Sequence, residues 1–252
     1  MKPLTKLLLP LVVGLTFGAA VQAKEPPRGH LFKMFEALQL SEQQRQDIRT
    51  LFKQGREDMG VFREDRRATY EQMQALIKAD NWDAQAAQTL LEQSSADRQA
   101  AMWGKAQMRQ AVWQVLTSDQ REQWQDIQEQ RFDGPRGEPF SGRWLKKLEL
   151  TDEQQQALET LQVAASAARQ QSQTLRQGFA DAELDLIEQG KLNEQNWQAL
   201  YNQYQPQFLN LELQKLVQRH DFYQLLSEDQ RSALQQRMEK RQKRQKHQHR
   251  QS

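Results

Sequence analysis

The amino-acid sequence predicts an all-α protein made of two tandem four-helix units, each built on a long, curved helical hairpin. Three observations predict this. A five-residue phrase, Leu-[Ser/Thr]-x-x-Gln, occurs four times, beginning at Leu40, Leu116, Leu150 and Leu226. Within each pair the phrases lie 76 residues apart, and the second pair repeats the first at an offset of 110; over 40–131 and 150–241, 22 of 92 positions are identical without a gap. Such self-similarity at a fixed period is the mark of an internal repeat. Between the phrases, apolar residues recur at three- and four-residue steps, the helical period.

Residues 1–23 read as a cleaved secretory signal peptide. Lys2 and Lys6 precede an apolar run from Leu7 to Phe17, and Val21-Gln22-Ala23 supplies a small-residue cleavage site. The run is too short to cross a bilayer. The expected location is therefore the periplasm, with no transmembrane anchor. The chain has no Cys, which excludes a lipoprotein anchor, disulfides and thiol redox chemistry.

The first unit spans 24–131. Ile48, Leu51, Phe52, Met59, Phe62, Tyr70, Met73, Leu76 and Ile77 mark one arm of its hairpin. The pattern breaks at Trp82-Asp83, where Asp83 can cap the returning arm, which carries Leu90, Leu91, Trp103, Val112, Trp113 and Val115. The linker is 132–143, inside the Gly- and Pro-rich stretch RFDGPRGEPFSGR. The second unit spans 144–241. Gly190 offers a helix stop and Asn193 a cap at the matching place, and the returning arm runs from Trp197 to Phe222. Pro206 lies inside that arm, and its counterpart Ala96 follows Ser94-Ser95, so bends are expected at matched places. Residues 242–252 form a basic, His-containing tail.

The repeated phrase has a local mechanism. Leu40, Leu116, Leu150 and Leu226 end one helix. Ser41, Thr117, Thr151 and Ser227 are N-caps for the next, and Gln44, Gln120, Gln154 and Gln230 close a capping box three residues later. The phrase reads as a helix-to-helix corner, a structural device without chemistry of its own.

Composition narrows the function. Without Lys2 and Lys6, 33 Lys/Arg balance 33 Asp/Glu, and the stretch from Lys240 to Ser252 holds six of those cations and no acid. The basic balance thus belongs to the ends, which argues against a nucleic-acid partner. Hydrophobic residues make up 37% and Gln occurs 44 times, which suits long solvated helices better than a compact sphere.

Two Leu-[Ser/Thr]-x-x-Gln motifs in about 110 residues of helical, secreted sequence resemble the Spy/CpxP family, defined by its LTxxQ motif, here in two copies. The resemblance implies a cradle-shaped dimer that binds unfolded or partly folded client proteins without ATP. It also implies, as an alternative, a regulator that binds and inhibits the periplasmic domain of an envelope-stress sensor kinase, or a binding protein associated with metal stress. Family members usually carry one unit, so the fused pair is expected to act as a monomeric pseudo-dimer.

Enzyme chemistry is not legible. His30, His220, His247 and His249 lie in no catalytic or zinc-binding spacing, and no phosphate loop or nucleophile elbow is present. No cofactor and no metal ligand are expected; His247-x-His249 in the basic tail reads first as a solvated end. Client contact instead calls for flexible apolar side chains beside charges. Met59, Phe62, Arg63, Arg66 and Arg67 on one arm, with Met102, Trp103, Met108 and Arg109 on the other, are the candidates, against the plainer reading that the apolar ones are core.

Overall fold

The computed structural model describes residues 36–58, 63–133, 140–142 and 144–251. Among these the chain is helical throughout, with no strand. The elements are α1 Glu42–Asp58, α2 Arg63–Lys78, α3 Ala84–Gln93, α4 Ser95–Val115, α5 Ser118–Asp133, a 3-10 turn Leu145–Leu148, α6 Asp152–Glu188, α7 Glu194–Leu225 and α8 Glu228–Gln251. The signal-peptide reading falls on 1–23, outside the described residues.

Caps set the boundaries. Asp83 accepts from Ala86 N at 2.8 Å and starts α3, and Asn193 accepts from Asn196 N at 2.9 Å and starts α7. Gly190, at φ +64°, ends α6. Its N–H reaches Ile187 O at 3.1 Å while Lys191 N reaches Leu186 O at 2.8 Å, the paired bonds of a left-handed helix stop that only glycine adopts without strain.

The two halves differ in continuity. α6 and α7 form one uninterrupted antiparallel hairpin of 37 and 32 residues. In the first half the returning arm is split at Ser94, whose hydroxyl donates to Leu91 O at 3.1 Å and accepts from Arg98 at 2.9 Å. A serine that bonds its own preceding turn competes with the helix ladder. Pro206, where a bend is expected, lies inside α7, and the helix is continuous across this exposed proline, which costs a backbone bond. The last helix runs on to Gln251, past Arg241.

Among the described residues the core lies in four clusters. Leu38, Leu40, Ile48, Val112, Leu116 and Trp124 fill the corner between α1, α4 and α5. Leu148, Leu158, Phe222 and Leu226 fill the corresponding corner around α6, α7 and α8. Part of the expected linker belongs to this second corner, because Phe140 stacks on Phe222 with centroids 4.9 Å apart and its carbonyl accepts from Gln162 at 3.0 Å.

The other two clusters cross between halves. Ala106 of α4, flanked by Trp103 and Trp113, packs against Ile187, Leu192, Trp197 and Tyr201 at the turn of the α6–α7 hairpin. Leu216 of α7, flanked by Leu213 and Tyr223, packs against Ile77, Trp82, Ala87 and Leu91 at the α2–α3 turn. Each residue in one set stands 110 positions from its counterpart in the other. Reciprocal contact of this kind is the arrangement of a two-fold interface, here within one chain. Fully burying one large apolar side chain contributes about 1.5–3 kcal/mol, so each half draws much of its stability from the other.

Candidate functional site

Two positions hold the geometry: the helix corners and the crossed interface. At the corners the capping boxes form as expected. Ser41, Thr117, Thr151 and Ser227 each accept from the backbone N–H of the motif glutamine, at 3.2, 3.4, 3.3 and 3.3 Å. Each glutamine Oε1 accepts the N-cap backbone N–H in return, at 2.9–3.0 Å.

The glutamines also do something that capping alone does not require. Gln44 Nε2 donates to Gln120 Oε1 at 2.7 Å and to Val115 O at 2.9 Å. Gln120 Nε2 donates back to Gln44 Oε1 and to Leu38 O, both at 3.2 Å. The second pair repeats this bond for bond: Gln154 Nε2 reaches Gln230 Oε1 and Leu225 O at 2.8 Å, and Gln230 Nε2 reaches Gln154 Oε1 at 3.0 Å and Leu148 O at 2.9 Å. Each amide thereby uses both hydrogens, and its oxygen accepts twice. Leu38 and Leu148 can offer their carbonyls because the next residues, Gln39 and Glu149, turn left-handed at φ 48° and 49°. Arg121 and Arg231 brace the same corners. Each donates to a carbonyl, of Trp113 or Tyr223, at 3.0 Å and lies over that residue's ring at 5.1 or 4.8 Å. The four motifs are therefore two clasps, each joining the start of one helix to the start of another.

Beside the second clasp, the Glu153 carboxylate is held below the usual glutamate range by its own backbone N–H and then by the Thr151 hydroxyl. It sits in the first turn of α6, where negative charge is favoured.

At the crossed interface lies a buried acid. Glu183 is 1% exposed. One carboxylate oxygen takes the Arg109 guanidinium from α4, and the other takes Trp197 Nε1 at 2.9 Å. Opposite, His220 Nε2 lies 3.1 Å from Ala79 O, which also accepts from Gln224 at 2.6 Å. Gln110, 110 positions before His220, donates in the same way to Leu192 O at 3.3 Å.

Two grooves open on the surface of the described residues. The larger, about 710 Å³, lies between α6 and α7 and is lined by amide and hydroxyl side chains, among them Gln170, Gln171, Thr174, Gln207 and Asn210, beside Tyr204 and Leu211. No charged side chain lines it. The smaller, about 260 Å³, lies where α2, α7 and α8 meet and is mostly apolar.

The expected client residues that the structure describes lie in different settings. Met59 and Phe62 lie outside the described residues, as do the side chains of Arg63 and Arg66. Arg67 is exposed and pairs with Glu71 at 3.0 Å. Met102 and Trp103 pack against the cluster around Trp197, with Trp103 and Trp197 centroids 5.4 Å apart. Met108 lies against α1, where a Cβ on Gly55 would stand 3.1 Å from its sulfur. Arg109 is engaged by Glu183.

Glu183 escaped the sequence reading, although it had a signal: it stands four residues from both Phe179 and Ile187, an acid in an apolar stripe. Among the described residues no group of three or more His, Asp or Glu is placed to hold a metal ion. No described helix is long and apolar enough to cross a membrane.

Residues 28–128 match the model of a protein family described as LTXXQ motif family protein. No curated protein and no solved structure matches the chain.

Proposed function

From the match of residues 28–128 to the LTXXQ motif family, the Spy/CpxP-type family, we propose that this protein is a periplasmic, ATP-independent chaperone that holds unfolded or partly folded client proteins during envelope stress. The observation that carries the reading is the open groove between α6 and α7. An unfolded polypeptide presents unpaired backbone N–H and C=O groups, which are obligatory hydrogen-bonding groups. A wide, uncharged groove rich in side-chain amides can satisfy them without demanding one sequence. The adjacent Tyr204 and Leu211 add apolar contact. The match of residues 28–128 to a non-enzymatic family supports a binding role over a catalytic one.

We further propose the domain organisation: a first unit at 24–131 and a second at 144–241, acting together as a monomeric pseudo-dimer behind a cleaved signal. The reciprocal clusters and the paired clasps support it.

Aggregation suppression tests the function. Chain 24–252, without nucleotide, should slow light-scattering growth of two unrelated denatured clients. If neither client is protected, while a single sensor-kinase periplasmic domain binds, the regulatory alternative replaces the chaperone.

A further inference from the structure

The two ends of the crossed interface are not equally sealed. Where α7 and α8 approach α2, the 260 Å³ groove remains open, walled by Tyr70, Ile77, Tyr223, Leu234 and Met238. Lys78 and Arg219 also line it, and no acid does. Neither cation makes an ion pair among the described residues. Tyr70 is 42% exposed, unusual for a large apolar side chain here.

The positions 110 residues away show what closure requires. Leu234 corresponds to Trp124, buried in the first corner. Gln74 corresponds to Leu184, which packs against that same cluster. Lys78 corresponds to Glu188, which accepts from Gln125 of α5. Accordingly α5 packs on α6 at that end. Three substitutions thus separate a filled seam from an open one, and the open one has exchanged an acid for a cation.

We propose that this groove is a client subsite for a segment bearing one aromatic or large aliphatic side chain flanked by Asp or Glu. The proposal rests on the chaperone reading and names the client chemistry. Size supports it: an apolar cavity of about 150 Å³ holds a benzene, so 260 Å³ admits one ring and a short stretch of its backbone. Charge supports it too, since Lys78 and Arg219 are exposed cations at the groove with no acid beside them in its lining, and they steer an acidic segment toward it. The side chain supplies the anchor and the flanking acids select the segment.

The test uses chain 24–252 and a fluorescent nonapeptide with one Phe between pairs of Asp, read by anisotropy. Saturable binding is expected. It should weaken about tenfold or more when the peptide Phe becomes Ala, and about tenfold with Lys78→Glu. A Lys-flanked peptide should gain from Lys78→Glu. Leu234→Trp, which copies position 124, should abolish binding of both peptides while the melting curve is kept.

Equal binding by wild type, Lys78→Glu and Leu234→Trp would overturn the subsite. So would tighter binding after removal of 24–35, which would make the chain's own segment the occupant. Dimerisation abolished by Leu234→Trp would make it a second copy. Aggregation suppression, measured in parallel, separates the two readings. If clients are protected but no peptide binds, the subsite fails and the chaperone stands. If peptide binds but no client is protected, the chaperone reading fails.

Discussion

Glu183 and Arg109 stand 74 residues apart in sequence and meet across the crossed interface, with the carboxylate buried and the guanidinium half-exposed. Removing one member of such a pair leaves an uncompensated buried charge, which costs about 3–5 kcal/mol. Arg109→Ala should therefore lower the unfolding free energy by about that amount in urea titrations. The double variant Arg109→Ala/Glu183→Met should be more stable than Arg109→Ala alone, because position 73, the counterpart of 183, is already Met. A double variant that is weaker still would mean that the charge pair does not account for the loss.

The clasp glutamines carry more than their caps. Thr117→Ala and Thr151→Ala should each cost about 1 kcal/mol, as N-cap losses do. Gln44→Ala removes its cap and also strands Val115 O and Gln120, so about 2–3 kcal/mol is expected. Gln44→Ala/Gln120→Ala should cost less than the sum of the single variants, because they share one network. Additive losses would show that the two glutamines act independently.

Thr151 also holds the charge on Glu153. Removing its hydroxyl should move the Glu153 pKa upward toward the ordinary glutamate value, in a carbon-detected NMR titration of Thr151→Ala. Because the folded carboxyl titrates low, its small contribution to stability is present above the ordinary glutamate range. It is lost as the pH falls through the lowered value. An unmoved titration would assign the shift entirely to the backbone N–H.

The halves depend on each other. Cutting after Asp133 uncovers Ile77, Ala87 and Leu91, which α7 covers in the whole chain. Chain 24–252 should sediment as a monomer, and 24–133 should self-associate or lose client protection. A monomeric, fully active half would sever the link between the duplication and the function.

Much of this was legible in the sequence. The caps at Asp83 and Asn193, the stop at Gly190 and all four capping boxes follow from residue types at fixed spacing. Such features are local, and local rules reach them. The mutual clasp of Gln44 and Gln120 was out of reach, because it needs two corners to meet across 76 residues. The same holds for the crossed interface. Periodicity showed that Trp103 lies on an apolar face, but it could not tell that the α6–α7 turn covers this face. Likewise, Phe140 looked like linker because glycine and proline surround it, yet its ring found Phe222.

The bonds that join glutamine to glutamine in the two clasps use amides only, with no atom that titrates in the ordinary range. Pairs of full charges weaken as salt accumulates around them, and carboxylates fail in acid. Amide clasps answer to neither. A helical frame pinned at its corners this way keeps its shape in surroundings whose acidity and ionic strength are set from outside.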